Sequence, residues 1–282
     1  MIEEVLFGKL AMPGEAIRLL VAFVGVALAT YFDVFNRRNV PNALLYGFLA
    51  AAFIVNLAFF QQDLFVFSIA LAVFFSAIGY MFYRFGQLGG ADVFIIASVI
   101  LLLPIHPSFS GLAFNLPYIF SVMVFAGIAF AIYVVCYFGL KLRDVNAHPK
   151  RIYALLLIPY LLFAFVYVNS VIFSLMYFVF VSILMLATMF FMAYKEDINL
   201  LLAERMSPAE LEEEDVLALE MMDQEAVKKY RLKRLATKSE IERMAGLKIP
   251  EVWVYSKMPP FLPFFLLGMA LALFFASSLL AI

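Results

Sequence analysis

The sequence predicts an all-α polytopic membrane protein: a helical bundle of about eight (six to eight) transmembrane helices, with a small cytosolic insertion before the last helix. Three observations predict this. The chain is 66% hydrophobic and 15% charged, whereas soluble domains run roughly 45–50% apolar and about 25% charged. Its mean hydropathy is +0.99. Its apolar residues fall into runs near the length of about 20 that one bilayer crossing needs. The organisation read from this is a transmembrane bundle over 1–194, a cytosolic, mainly helical insertion over 195–257, and a C-terminal transmembrane helix over 258–282. The net charge of −1 gives no overall field of the kind that draws nucleic acid. The single cysteine, Cys136, excludes a disulfide or a cysteine zinc site within one chain and reads as a small buried hydrophobe.

The N-terminal stretch carries Glu3, Glu4, Lys9 and Glu15 and lacks the basic start of a cleaved signal peptide, so the first run reads as a retained helix. That run is Ile17 to Phe35, with Asp33 at its far end. The polar turn Asn36-Arg37-Arg38-Asn39-Val40-Pro41-Asn42 leads to a second run, Ala43 to Phe60. Gln61-Gln62-Asp63 turns into the third, Leu64 to Tyr83, closed by Arg84. Gly86-Gln87-Leu88-Gly89-Gly90-Ala91-Asp92 follows, then a fourth run from about Asp92 to Leu103. Pro104-Ile105-His106-Pro107 breaks it, and the fifth run is Pro117 to Leu140. The stretch 152–194 is too long for one helix and divides most naturally at Asn169-Ser170. Pro260 to Ile282 is the last run.

Charge orients the chain. Arg37, Arg38, Arg84, Lys141, Arg143, Lys150, Arg151 and the basic residues of 195–257 fall on alternate loops, and the opposite loops hold only Lys9 and Arg18. By the positive-inside rule the N-terminus is outside, as is the C-terminus of an eight-span chain. In the insertion, Ser207-Pro208-Ala209-Glu210 has the pattern of a capping box with proline at the first helical position, which predicts a helix towards Met222. Thr237-Lys238-Ser239-Glu240 is a second box, with Gly246 as the stop. Val252-Trp253-Val254-Tyr255 reads as a short strand or an interfacial aromatic anchor.

Two acids abut spanning runs on the inner face without lying in charged loops: Asp33 and Asp92. Asp63 falls at an outer turn, and Asp144 lies among Lys141, Arg143 and Lys150. An ionisable group at such a place suggests function. Two carboxylates a few Å apart cannot both ionise cheaply, so they share a proton. One can then act as general base on a water while the protonated partner binds a carbonyl oxygen and later protonates a leaving amine. Gly89 and Gly90 permit close backbone approach beside the acid, and flexible backbone there suits pairing with an extended peptide. Each feature also has a purely structural reading: Asp92 as a helix cap, Asp33 paired with Arg37, Gly89-Gly90 as an ordinary turn. His106 in an outer loop and His148 in a cytosolic loop offer no histidine metal site and no Ser–His pair.

Thr30-Tyr31-Phe32-Asp33, with Arg37-Arg38-Asn39-Val40-Pro41-Asn42 and then Gly89-Gly90-Ala91-Asp92, resembles the archaeal prepilin/preflagellin (prearchaellin) peptidases, which are GxGD-type membrane aspartic proteases. Val252-Trp253-Val254 and Lys257-Met258-Pro259 resemble that family's C-terminal region. The resemblance covers roughly residues 17–104 and 250–270, and the middle of the chain matches by hydropathy alone. Ala91 replaces the second glycine of GxGD, and Phe94 stands where the family often has lysine. The resemblance implies catalytic Asp33 and Asp92, a loop shaped by Gly89, Gly90 and Ala91, no metal and no cofactor. It implies substrates that are archaellin or pilin precursors with class III signal peptides, cut at the cytosolic face of the bilayer. Bacterial relatives add a cysteine-bound zinc segment and N-methylate the product; with Cys136 alone, no methyltransferase activity is expected here. The alternatives are a secondary transporter or proton relay using both aspartates, or a non-catalytic membrane assembly protein.

Overall fold

The computed structural model describes residues 11–36, 39–110, 116–145, 147–213, 215–247, 249–256 and 259–280. Glu3, Glu4, Lys9, Arg37, Arg38, Lys257, Met258 and Ile282, which entered the sequence reading, lie outside the described residues. The bundle is made of α1 (Glu15–Phe35), α2 (Asn42–Ala58), α3 (Gln62–Arg84), α4 (Gly90–Leu102), α5 (Tyr118–Leu142), α6 (Leu157–Val168, entered through a 3-10 turn) and α7 (Leu175–Ala193). The insertion contributes α8 (Lys195–Leu202), β1 (Ala203–Met206), α9 (Gln224–Tyr230), α10 (Lys238–Gly246) and β2 (Val252–Tyr255), and α11 (Leu262–Leu280) closes the chain. Among the described residues, five helices are long and apolar enough to cross a membrane: Glu15–Phe35, Gln62–Arg84, Tyr118–Leu142, Arg151–Val168 and Leu175–Ala193. Asn42–Ala58, Gly90–Leu102 and Leu262–Ser277 are apolar but shorter. The run 152–194 does divide at Asn169-Ser170, where a turn joins α6 to α7.

The short α4 is the centre of the bundle. Every residue from Ile95 to Leu103 is buried, and α4 packs against α1, α2 and α3. On α1 the buried stripe is Arg18, Ala22, Val26, Ala29 and Asp33, spaced three or four residues apart along one helical face. Arg18, at the start of α1, donates to the carbonyls of Leu101 and Leu102 at the end of α4. The two helices therefore run antiparallel. Helices α5 and α11 approach closely: a Cβ on Gly268 would lie 2.7 Å from both Ala126 N and Val122 O. Helix α6 buries no side chain at all. A helix apolar all round needs no protein cover where lipid is its solvent. Cys136 is likewise exposed on α5 rather than buried, which corrects the sequence reading.

The segment after α4 departs from the expected outer loop. Leu103, Ile105 and His106 are buried, His106 to 4% exposure. His106 Nε2 lies 2.9 Å from Ser121 Oγ, so a Ser–His pair exists after all. Apolar flanking residues carry the chain inward here, and Glu15 anchors its far side through Ser108 N and Oγ. Ser121 is fully buried, which gives a substrate no approach to it.

The insertion combines short helices with a two-stranded sheet. β1 and β2 pair antiparallel from Ala203↔Tyr255 to Met206↔Val252. The other edge of β2 binds 216–218, through Ala218 N to Trp253 O and Tyr255 N to Val216 O. That strip in turn meets 234–236. Leu217, Met244, Val252 and Val254 form a small core beneath. This explains why the expected helix from Ser207 towards Met222 reduces to two 3-10 turns, Pro208–Glu210 and Leu219–Met221. Glu210 does accept from Ser207 N at 3.0 Å, but sheet pairing and burial of Leu217 take the chain that follows. The second box does start a helix, α10, which ends at Gly246. Val252–Tyr255 is a strand.

Candidate functional site

The glycine stretch between α3 and α4 is tightly specified rather than flexible. Gly86 has φ +65°. Gly86 N bonds Tyr83 O at 2.8 Å and Gln87 N bonds Phe82 O at 3.0 Å. That is a Schellman stop, with glycine at the left-handed position. Three residues later Gly89 opens α4 in extended backbone, and its N–H is accepted by Asp92 Oδ2 at 3.2 Å. A helix stop and a helix start thus consume the stretch. Gly90 is already the first residue of α4, and Ala91 packs against the bundle core. This corrects the expectation of flexible backbone beside the acid.

Asp92, half-buried in the first turn of α4, also stabilises that helix through the positive end of its dipole. A Cβ on Gly89 would lie 3.2 Å from Asp92 Oδ2, so a side chain there would crowd the carboxylate. Phe94 meets the Tyr46 ring edge-on.

Asp33, 8% exposed at the end of α1, accepts the backbone N–H of Leu262 at 3.2 Å. Leu262 is the first residue of α11. The N–H that opens that helix is therefore capped from the first helix of the bundle, 229 residues away in sequence. Thr30, one turn before Asp33, has a buried hydroxyl without a hydrogen-bond partner among the described residues.

Both aspartates stand at the end of the bundle that carries the insertion. The antiparallel packing of α1 on α4 puts them there. The insertion also touches this end directly: a Cβ on Gly86 would lie 3.2 Å from Val216 Cγ1 and 3.6 Å from Arg234 Cγ. Arg234 is held by Glu220 at 3.3 Å, and Glu220 accepts from the Tyr255 hydroxyl at 2.7 Å. Burial pushes the Glu220 carboxyl up, but the bond from Tyr255, a backbone hydrogen bond and the charges of Arg234 and Lys195 together outweigh it and hold the group below its ordinary value. Sequence reasoning missed this wall, because Val216 and Arg234 carry no local signal of contact with Gly86. Gly86→Ala is expected to lower stability by about 1–2 kcal/mol, since it adds left-handed strain to the contact with Val216. Gly86→Asn should cost less. Melting temperatures in detergent check the order, and an alanine variant as stable as the parent would contradict it.

No known family, no curated protein and no solved structure matches this chain.

Proposed function

We propose that this chain is a membrane aspartic endopeptidase, and that it removes class III, pilin-like signal peptides from archaellin or pilin precursors at the cytosolic face of an archaeal cell membrane. The observation that carries the reading is the placement of Asp33 and Asp92 at one end of two directly packed antiparallel helices, beside the polar insertion. The motif resemblance around both residues supports it independently.

In this reading the bundle crosses the bilayer about eight times with the N-terminus outside. The precursor's apolar helix lies along the bundle, and its polar segment unwinds against the wall formed by Val216 and Arg234. One carboxylate takes a proton from water as the oxygen attacks the scissile carbonyl. The other, protonated, hydrogen-bonds that carbonyl, and the proton ends on the leaving amine. Because each acid also accepts a backbone N–H, from Leu262 and from Gly89, each carboxylate enters the reaction already oriented. No metal or cofactor takes part.

The test is Asp33→Asn and Asp92→Asn, made separately, with cleavage of a tagged precursor followed by gel shift. Loss of cleavage in both supports the dyad. A variant that folds and cleaves at the parent's rate removes that aspartate from it. Proton or solute flux in liposomes, with no cleavage by the parent, would favour a transporter instead.

A further inference from the structure

The second charged residue on the inner stripe of α1 is Arg18, at 1% exposure. Its guanidinium donates to five acceptors: Pro13 O at 2.8 Å, Asn56 Oδ1 at 2.7 Å, Leu102 O at 3.2 Å, and Leu101 O and Phe59 O at 3.4 Å. Asn56, itself 1% exposed, also donates to Leu101 O at 2.7 Å. Its amide reaches Ser68 Oγ on α3 at 3.4 Å. One buried polar cluster thus ties α1, α2, α3 and α4 together at the end of the bundle opposite the aspartates.

The cluster solves a problem that α4 creates. Its 13 residues reach about 20 Å, well short of the roughly 30 Å of a bilayer's hydrocarbon core. The last carbonyls of α4 therefore end inside the apolar region, where they need protein donors. Arg18 and Asn56 supply these donors, and the cation meets the negative end of the α4 dipole. A slip of α4 by one residue along its axis would strand those carbonyls and take from the guanidinium the two of its five acceptors that α4 supplies. The cluster therefore sets the axial position of α4, and Asp92 rides on the other end of the same rigid helix.

We infer that Arg18 is a positioning residue for Asp92: it fixes how far α4 extends towards the insertion, and so where the carboxylate stands relative to Asp33. The inference rests on the peptidase reading for its catalytic consequence, while the geometric part is measured without any cleavage.

Two readouts on the full-length protein in liposomes test it. The first is cleavage kinetics of Arg18→Gln and Arg18→Lys. A misplaced carboxylate should lower kcat by about 10–100-fold with KM nearly unchanged, since a displacement of about 1 Å costs on the order of 10²-fold. Lysine, which keeps the charge but has fewer donors, should fall between parent and glutamine. The second is the spin-label distance between Asn36→Cys and Gln87→Cys, both exposed positions, in a Cys136→Ala background. It should shift or broaden in Arg18→Gln and less in Arg18→Lys. A lowered kcat with an unmoved label pair overturns the inference, as does a moved pair with the parent's kcat. If Arg18→Gln does not fold, Arg18→Lys carries the same two outcomes. Should Asp33→Asn and Asp92→Asn cleave normally while the labels still move, the peptidase reading falls and the axial pin stands. Should those variants be inactive while the labels stay fixed, the pin falls and the peptidase stands.

Discussion

Asp92→Asn is expected to fold as the parent does and to lower precursor cleavage by about 10²–10⁴-fold, the span associated with losing a general acid–base group. The asparagine side-chain oxygen can still accept the Gly89 N–H, so the turn into α4 keeps its cap. What is lost is a group that takes a proton from water. Asp33→Asn separates the two roles in the same way, because its oxygen can still accept from Leu262 N. Alanine at either position confuses them, since removing a cap also costs about 0.5–2 kcal/mol. The informative measurement is therefore the first-order rate of mature product for the two asparagine variants, with melting temperature recorded in parallel. An unchanged melt with a collapsed rate is the expected pair of results.

Gly268→Val is expected to be the most destabilising single change within the described bundle, at about 3 kcal/mol or more, the upper range for forcing volume into a packed interior. The reason is what the new atoms would meet. A Cβ at 268 lies 2.7 Å from Val122 O and Ala126 N, which are backbone atoms that cannot rotate away. Helices α5 and α11 approach this closely because glycine faces Ala126, as small residues allow in membrane bundles. Gly47 provides the control: nothing lies within 4 Å of its added Cβ, so Gly47→Ala should be nearly silent. Melting temperatures of the two variants in one detergent compare them directly, and equal shifts would show that the close approach is not what holds the pair.

The helical bundle was legible because hydropathy and run length are local properties. Asn169-Ser170 marked a helix break, and the runs around it behaved as read. Asp33 and Asp92 were legible as exceptions, acids where a membrane helix should have none. Arg18 was the same kind of exception and passed as a loop charge. Its helical phase with Asp33 was the available signal, since both fall on the stripe Arg18, Ala22, Val26, Ala29, Asp33. His106 was misplaced because Pro104 and Pro107 look like an exposed loop, and only the packing of Leu103 and Ile105 shows that the chain turns inward. The capping box at Ser207 read correctly at its first turn and wrongly beyond it. Pairing of 216–218 with β2, some 35 residues further on, decides that stretch, and no local pattern encodes it. The stretch from Gly86 to Asp92 read as flexible because glycine permits many conformations. Here one glycine ends a helix and another begins the next.

The bond from Leu262 to Asp33 has a consequence for how the protein is made. A chain entering the membrane from its N-terminus places Asp33 early and supplies the Leu262 N–H only when α11 emerges. Until then the acid at the end of α1 lacks that donor, and α5 lacks the helix against which Gly268 fits. The surroundings of Asp33 are therefore completed only by a helix that lies 229 residues further along the chain, and a partly translated chain already in the bilayer carries both acids without that contact.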